Sequence, residues 1–150
     1  MSGGLGRATG QFYTRILIEH LAAHQSASIS KPMIIFKQFT FDSAHFLPNV
    51  PETHKCRQVH GHTYKLTVFV DGKPAAGTGW VMDFSELKQA VCEVLDEVDH
   101  KMLNNVPGLD NPTCELLAVW LWNKIKPSVT QLCKIELYET PTSGVIYEGV

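Results

Sequence analysis

From His60 the chain reads HGHTYKLTVFVD, and no other stretch limits the fold so strongly. Tyr64, Leu66, Val68 and Val70 alternate with Lys65 and Thr67, the period of two that marks an amphipathic β-strand. The strand opens with two histidines. Successive side chains on a strand point to opposite faces, so His60 and His62 project from the same one. Two imidazoles so placed can chelate one metal ion, with Gly61 between them letting backbone or ligand come close. Two ligands do not complete a site. The third candidate is His45, which ends another alternating run, FTFDSAH, in phase with Phe39 and Phe41. Three neutral histidines leave a coordination position open, as in a catalytic zinc site. Three residues separate Cys56 from His60, a gap that does not require it to be a ligand, and it reads as a reactive thiol beside the zinc. An isolated H-x-H is more often a pair of polar surface residues; the upstream histidine and the neighbouring cysteine weigh against that here.

A chain of 150 residues suits one domain, large enough to bury about two-thirds of its unfolded surface. The formal charge of −2, with no basic cluster, argues against a nucleic-acid platform. Apolar runs fall far short of the ~18 residues of a membrane span, so no membrane partner is expected. The four cysteines, Cys56, Cys92, Cys114 and Cys133, form no C-x-x-C pair and no disulfide-framework spacing. Cys92 and Cys114 fall in helix-like stretches, where a thiol packs as a small apolar group. A reducing cytoplasm fits this usage best.

Residues 1–32 differ in character from the remainder of the chain. MSGGLGRATG is glycine-rich and flexible by composition. QFYTRILIEHLAAH reads as a short helix broken by SASISKP, without the basic region, uninterrupted apolar core and cleavage site of a secretory signal. A domain begins cleanly at Met33, which makes the first 32 residues an extension or the product of a misplaced start. His20 and His24, spaced i, i+4, chelate only if helical, and solvated side chains are the default reading.

The rest gives an element order. IIFKQFTFDSAH is the first strand, a proline-bearing loop from Leu47 to Lys55 leads to Cys56, and the HGH strand comes next. GWVMDF reads as a short third strand turning directly into a helix, with Asp83 and Glu86 in a capping-box arrangement. Phe84, Leu87, Val91, Leu95 and Val98 form one buried stripe, and the helix should end near Asp99–His100. A second helix starts at about Thr113, carries Leu117, Trp120, Leu121 and Ile125 inward, and stops before Pro127. KIELYET, PTSG and VIYEG form a hairpin whose loop is expected to be longer than the tightest type. The order predicts an α+β domain: an antiparallel four-stranded sheet with two helices on one face.

Two further sites carry chemistry. In Asp99–His100 the histidine can act as acid or base and the aspartate can orient it; the same dipeptide also reads as a His⁺ at a helix C-terminus. Glu139 shares its face with Ile135 and Leu137, so it points toward the apolar side of the sheet. A buried carboxylate needs partners. A planar ligand offering two adjacent N–H donors, such as an aminopyrimidinone ring, matches its two oxygens. An internal salt bridge or a strand-end carboxylate facing solvent are the alternatives.

FTFDSAH, CRQVHGH, GWVMDF, LDEVDHKMLN, NPTCE and LYET, in that order, resemble the motifs of the 6-pyruvoyltetrahydropterin synthase superfamily. The three-residue gap in CRQVHGH and the preceding PETHKC are most similar to the branch that makes 6-carboxytetrahydropterin in queuosine biosynthesis. The resemblance runs from Met33 to the C-terminus and departs mildly at NPTCE, where Cys114 replaces an expected small polar residue. It implies that His45, His60 and His62 bind zinc, that Cys56 is the catalytic thiol relayed by Asp99 and His100, and that Glu139 anchors the pterin. Thr113 and Glu115 are implied to lie near the same ring. The implied reaction converts 7,8-dihydroneopterin triphosphate to 6-carboxytetrahydropterin with release of triphosphate and acetaldehyde. The implied architecture is the tunnelling fold, in which the sheets of a homo-oligomer, trimer-based or hexameric, join into a barrel with sites between neighbouring chains. The rival readings are the sister pyruvoyl synthase, which keeps the three-carbon side chain; a non-enzymatic zinc-binding protein on the same fold; and a jelly-roll oxygenase. Intact Cys56, Asp99, His100 and Glu139 disfavour the second, and the two central helices the third.

Overall fold

The computed structural model describes residues 31–149. The His20/His24 pair and nearly all of the expected extension lie outside the described residues. Two long strands, β1 (Met33–His45) and β2 (His60–Gly72), pair antiparallel along their whole length, from Met33 opposite Gly72 to His45 opposite His60. Helix α1 (Phe84–Leu95) follows, then the two-residue strand β3 (Lys101–Met102), helix α2 (Cys114–Ile125), and the hairpin of β4 (Leu132–Thr140) and β5 (Ser143–Tyr147). The sheet order is β3-β1-β2-β4-β5.

The sequence predicts four antiparallel strands, and the sheet has five. The added one, β3, lies parallel to β1, with Lys101 opposite Ser43 and Met102 opposite Ala44. Two residues carry no periodicity, so β3 is invisible in the sequence; it is held instead by tertiary contact, the Ser43 hydroxyl donating to Val98 O at 2.6 Å. GWVMDF forms no strand. Gly79, at φ 72°, turns the chain at one end of the segment, and Asp83 already caps α1 at the other. The β4–β5 loop is tighter than expected: Thr140 pairs with Ser143, so Pro141 and Thr142 alone make the turn.

Side chains at alternate positions of β1, β2 and β4 build one floor. Phe41 lies opposite Tyr64, Leu66 opposite Leu137, and Val68 opposite Ile135, all buried. Both helices cover that floor and share its core through Leu87, Val91, Leu117, Leu121 and Ile125. Each such residue contributes about 1.5–3 kcal/mol by leaving water. Asp83 Oδ1 accepts from Ser85 N at 2.6 Å and starts α1 as expected. Phe84, expected on the buried stripe, is instead 49 % exposed: it is the first helical residue, and its ring lies under Lys37. The regular helix ends at Leu95, earlier than predicted. Looser turns continue it, with Asp99 N donating to Leu95 O, until His100 at φ 55° reverses the chain into β3. No helix among the described residues is long and apolar enough to cross a membrane.

Candidate metal centre and its surroundings

The end of β1 and the start of β2 bring the three predicted histidines together. Register alone does most of this, because His45 lies opposite His60 and Ser43 opposite His62. His60 and His62 continue the face of β2 that carries Tyr64 and Leu66, and His45 meets them from β1. The strands approach closely there: a Cβ on Gly61 would stand 3.3 Å from Ser43 O, tighter than ordinary contact. The ligating atoms of His45, His60 and His62 all lie within 4.8 Å of one another.

Hydrogen bonds fix which nitrogens face inward. His45 Nδ1 is 2.8 Å from Pro112 O and His60 Nδ1 is 2.8 Å from Gln58 O. A carbonyl only accepts, so each Nδ1 carries the proton and, in a neutral ring, each Nε2 presents a lone pair. Those two lone-pair nitrogens stand 3.0 Å apart, with no proton of their own to share. A cation between them resolves the conflict, and a backbone carbonyl on the far ring nitrogen is the usual orienting contact of a metal-bound histidine. Burial pushes the titration of His45 and His62 below the ordinary imidazole value, outweighing the Glu139 carboxylate, which acts the other way. The lowered titration favours the neutral rings a metal needs. The donor set is three imidazoles, which fits zinc and other borderline divalent metals.

Glu139 comes from β4 and is aimed by an irregularity. Tyr138 pairs with Gly144 and Thr140 with Ser143, so Glu139 is the extra residue of a bulge, a device that turns side chains toward sites. Gly144 makes the bulge possible, since a Cβ there would stand 2.4 Å from Leu137 O. The carboxylate is 26 % exposed, with Oε1 3.5 Å from His45 Nε2 and 3.6 Å from His62 Nε2. It stands beside the cluster of three without joining it. Tyr64, fully buried, donates its hydroxyl to Oε1 at 3.3 Å, and burial with the adjacent carboxylate raises the phenol far above its ordinary value, so it remains a donor. Tyr64 was legible only as a core residue of β2; the missed signal is that a buried tyrosine needs a partner for its hydroxyl.

The N-terminus of α2 closes this end of the sheet. Pro112 supplies the carbonyl on His45, and Thr113 caps the helix by accepting from Leu116 N at 3.3 Å. Thr113 is half-buried and Glu115, in the first turn, is exposed. Cys114 packs its Sγ 3.6 Å from Leu137 O, and burial with the carboxylates of Glu139 and Glu115 pushes its thiol up to about 12.

Cys56 and the Asp99–His100 pair lie apart from the cluster. Cys56 sits in a single helical turn, Lys55–Arg57, whose approach loop is tied by Leu47 N to Cys56 O and by Arg57 to the carbonyls of Pro48 and Val50. Its thiol is not among the grouped ligand atoms. Asp99 Oδ1 accepts from Asp42 N and lies 2.9 Å from His100 Nδ1. Those contacts, the Asp42 amide foremost, hold its carboxyl below the ordinary value. No hydrogen bond among the described residues joins this pair to the metal cluster, although His62 and His100 both line one open groove with Asp42, Gly61, Thr63 and Lys101.

Fold and site together define an α+β protein with three histidines positioned to hold a metal ion at one end of its sheet and a carboxylate beside them. The chain belongs to the 6-pyruvoyl tetrahydropterin synthase family, whose sequence model matches residues 34–150, and it is an enzyme of that family. It is 40% identical over 120 residues to the 6-carboxy-5,6,7,8-tetrahydropterin synthase of Synechocystis, covering 76% of this chain and 92% of that one. It is 36% identical over 121 residues to the dihydroneopterin monophosphate aldolase of Pyrococcus furiosus, covering 79% and 98%. The structure of the Caenorhabditis elegans 6-pyruvoyl tetrahydropterin synthase matches it with a TM-score of 0.75 at 26% identity, over 81% of this chain and 98% of that one.

Proposed function

We propose that the chain is a zinc-dependent 6-carboxy-5,6,7,8-tetrahydropterin synthase, converting 7,8-dihydroneopterin triphosphate and one water, which supplies the second carboxyl oxygen, to 6-carboxytetrahydropterin with release of triphosphate and acetaldehyde, in the cytoplasm and for queuosine biosynthesis. The observation that carries this reading is Glu139, bulged toward three metal-ready imidazoles yet outside their ligand set. Its hydrogen bond and both of its ion-pair contacts run through Oε1, and among the described residues no protein donor holds Oε2. A pterin presents adjacent N–H donors that such a carboxylate can accept. The three-residue interval in CRQVHGH and the 40% identical synthase favour the carboxy branch over the pyruvoyl one.

Bound zinc would acidify the substrate's side-chain hydroxyls and polarise its nascent carbonyl. The chain's own groups do the rest. Glu139 fixes the ring, with Thr113 and Glu115 at its border. Cys56 moves a proton as thiolate on one face, and His100, oriented by Asp99, passes protons on the other. Loss of triphosphate and carbon–carbon cleavage both need such shifts beside a carbonyl, and no covalent intermediate is required. Because Asp99 and His100 make no hydrogen bond to the cluster of their own chain, the complete site is drawn from neighbouring subunits of a trimer-based homo-oligomer.

Mass spectrometry of the products from dihydroneopterin triphosphate tests the assignment. Acetaldehyde with 6-carboxytetrahydropterin is expected. A retained three-carbon side chain would make the chain a pyruvoyl synthase, and turnover of the monophosphate alone would align it with the Pyrococcus relative.

A further inference from the structure

We infer that Tyr64 is a positioning residue for substrate binding: its hydroxyl holds Oε1 of Glu139 against the metal side of the site and thereby turns Oε2 toward the ring of the substrate. The inference rests on the reading of Glu139 as pterin anchor. Its basis is geometric. The Tyr64 side chain is 0% exposed and its ring is gripped from several directions, stacked on Phe41 at 5.0 Å and edge-on to His62 at 5.7 Å and His45 at 6.3 Å. A ring packed this way has one place for its hydroxyl, and there it meets Oε1. Glu139 itself is less constrained. It sits in a bulge and is partly exposed, with no lysine or arginine salt-bridged to it among the described residues. A carboxylate rotates about its last torsion with a broad, two-fold preference. Apart from the tyrosine hydroxyl, the polar neighbours of the carboxylate among the described residues are the two imidazoles, of which His45 turns a lone pair toward it. Pre-set acceptors lower the ordering cost of binding, so the hydroxyl acts on affinity through Glu139 without touching substrate.

Tyr64→Phe in the full chain removes the hydroxyl and keeps the ring. Zinc content is expected to stay at its original level while KM and the pterin Kd rise about fivefold or more, with kcat within about twofold. In the Glu139→Gln background the same substitution should add almost nothing, because the two residues act as one unit. Phe41→Leu loosens the packing but keeps the hydroxyl, and should leave pterin affinity near its original value. Unchanged pterin affinity in Tyr64→Phe, a full additive loss on Glu139→Gln, or an equal loss in Phe41→Leu would each overturn the inference. If Tyr64→Phe does not fold alone, the Tyr64→Phe/Glu139→Gln pair strands no charge and should be recovered; failure of the pair as well would assign the hydroxyl to packing. Normal pterin binding by Glu139→Gln itself would remove the anchor reading, and this inference with it. Weakened binding in Glu139→Gln with normal binding in Tyr64→Phe would remove this inference alone.

Discussion

The histidine cluster and the Asp99–His100 turn are held in opposite ways. His45 is 1% exposed, and its ring and that of His60 are locked by carbonyls on the outer nitrogen. His100 is 76% exposed and Asp99 40%, at a turn that forces a non-glycine residue to φ 55°. Yet the turn is not loose. His100 N donates to Asp42 O at 2.6 Å, Asp42 N donates to Asp99 Oδ1, and β3 clips the next residues onto β1. The histidine cluster is pre-organised by burial, the Asp99–His100 pair by backbone bonds that leave the ring in solvent. A group buried in its own chain serves binding; one oriented but exposed suits completion by something brought to it, here proposed to be the neighbouring chain and its substrate.

Breaking the buried half should have the largest effect. His60→Ala leaves two ligands and is expected to lose most of a metal content of about one zinc per chain, measured by elemental analysis. Full zinc in both His60→Ala and His62→Ala would remove the site. On the exposed half, His100→Gly relieves the left-handed φ, so stability should hold or rise by less than about 1 kcal/mol, while turnover falls by roughly 10²-fold. A melt and a kcat from the same preparation check this, and a large drop in stability would show that the ring is structural.

A smaller, pH-dependent contrast comes from the shifted histidines. His45 and His62 titrate below the unfolded value of about 6.5, so the unfolded chain binds more protons in the acid range. Their contribution to the metal-free protein is fully present above about pH 6.5 and is lost as pH falls through the folded values. Melting temperatures of metal-free protein from about pH 8 to about pH 5 should therefore decline on the acid side, and more steeply, from a higher starting value, with zinc bound, because protons compete with the metal for the imidazoles. The smallest effect is expected from a chain beginning at Met33, since the family match starts at residue 34. Its specific activity should be nearly unchanged, and a large loss of soluble, assembled protein would place the first 32 residues within the domain.

Much of the buried half was legible because a strand's period of two is local. The alternation through FTFDSAH and HGHTYKL put His60 and His62 on one face and His45 in phase with Phe39 and Phe41, that of KIELYET put Glu139 with Ile135 and Leu137, and Asp83 announced α1 by its capping chemistry. What was not legible depends on tertiary contact. The two-residue β3 exists because Ser43 and Val98 meet, GWVMDF runs irregularly between the left-handed Gly79 and the Asp83 cap, and the bulge at Glu139 depends on Gly144 lying against Leu137. Tyr64 packs as its pattern predicts, but only its place opposite β4 gives the hydroxyl a partner.

Zinc content and pterin affinity, measured side by side on Cys56→Ala and Glu139→Gln, test the division of labour most directly. Both variants should retain about one zinc per chain, since neither residue belongs to the cluster of three. Cys56→Ala should bind pterin normally and turn over roughly 10²-fold slower. Glu139→Gln places a donor against the ring N–H and should weaken pterin binding by about 1.5–3 kcal/mol. Loss of zinc from Cys56→Ala together with normal pterin binding by Glu139→Gln would make the thiol a ligand and contradict the account.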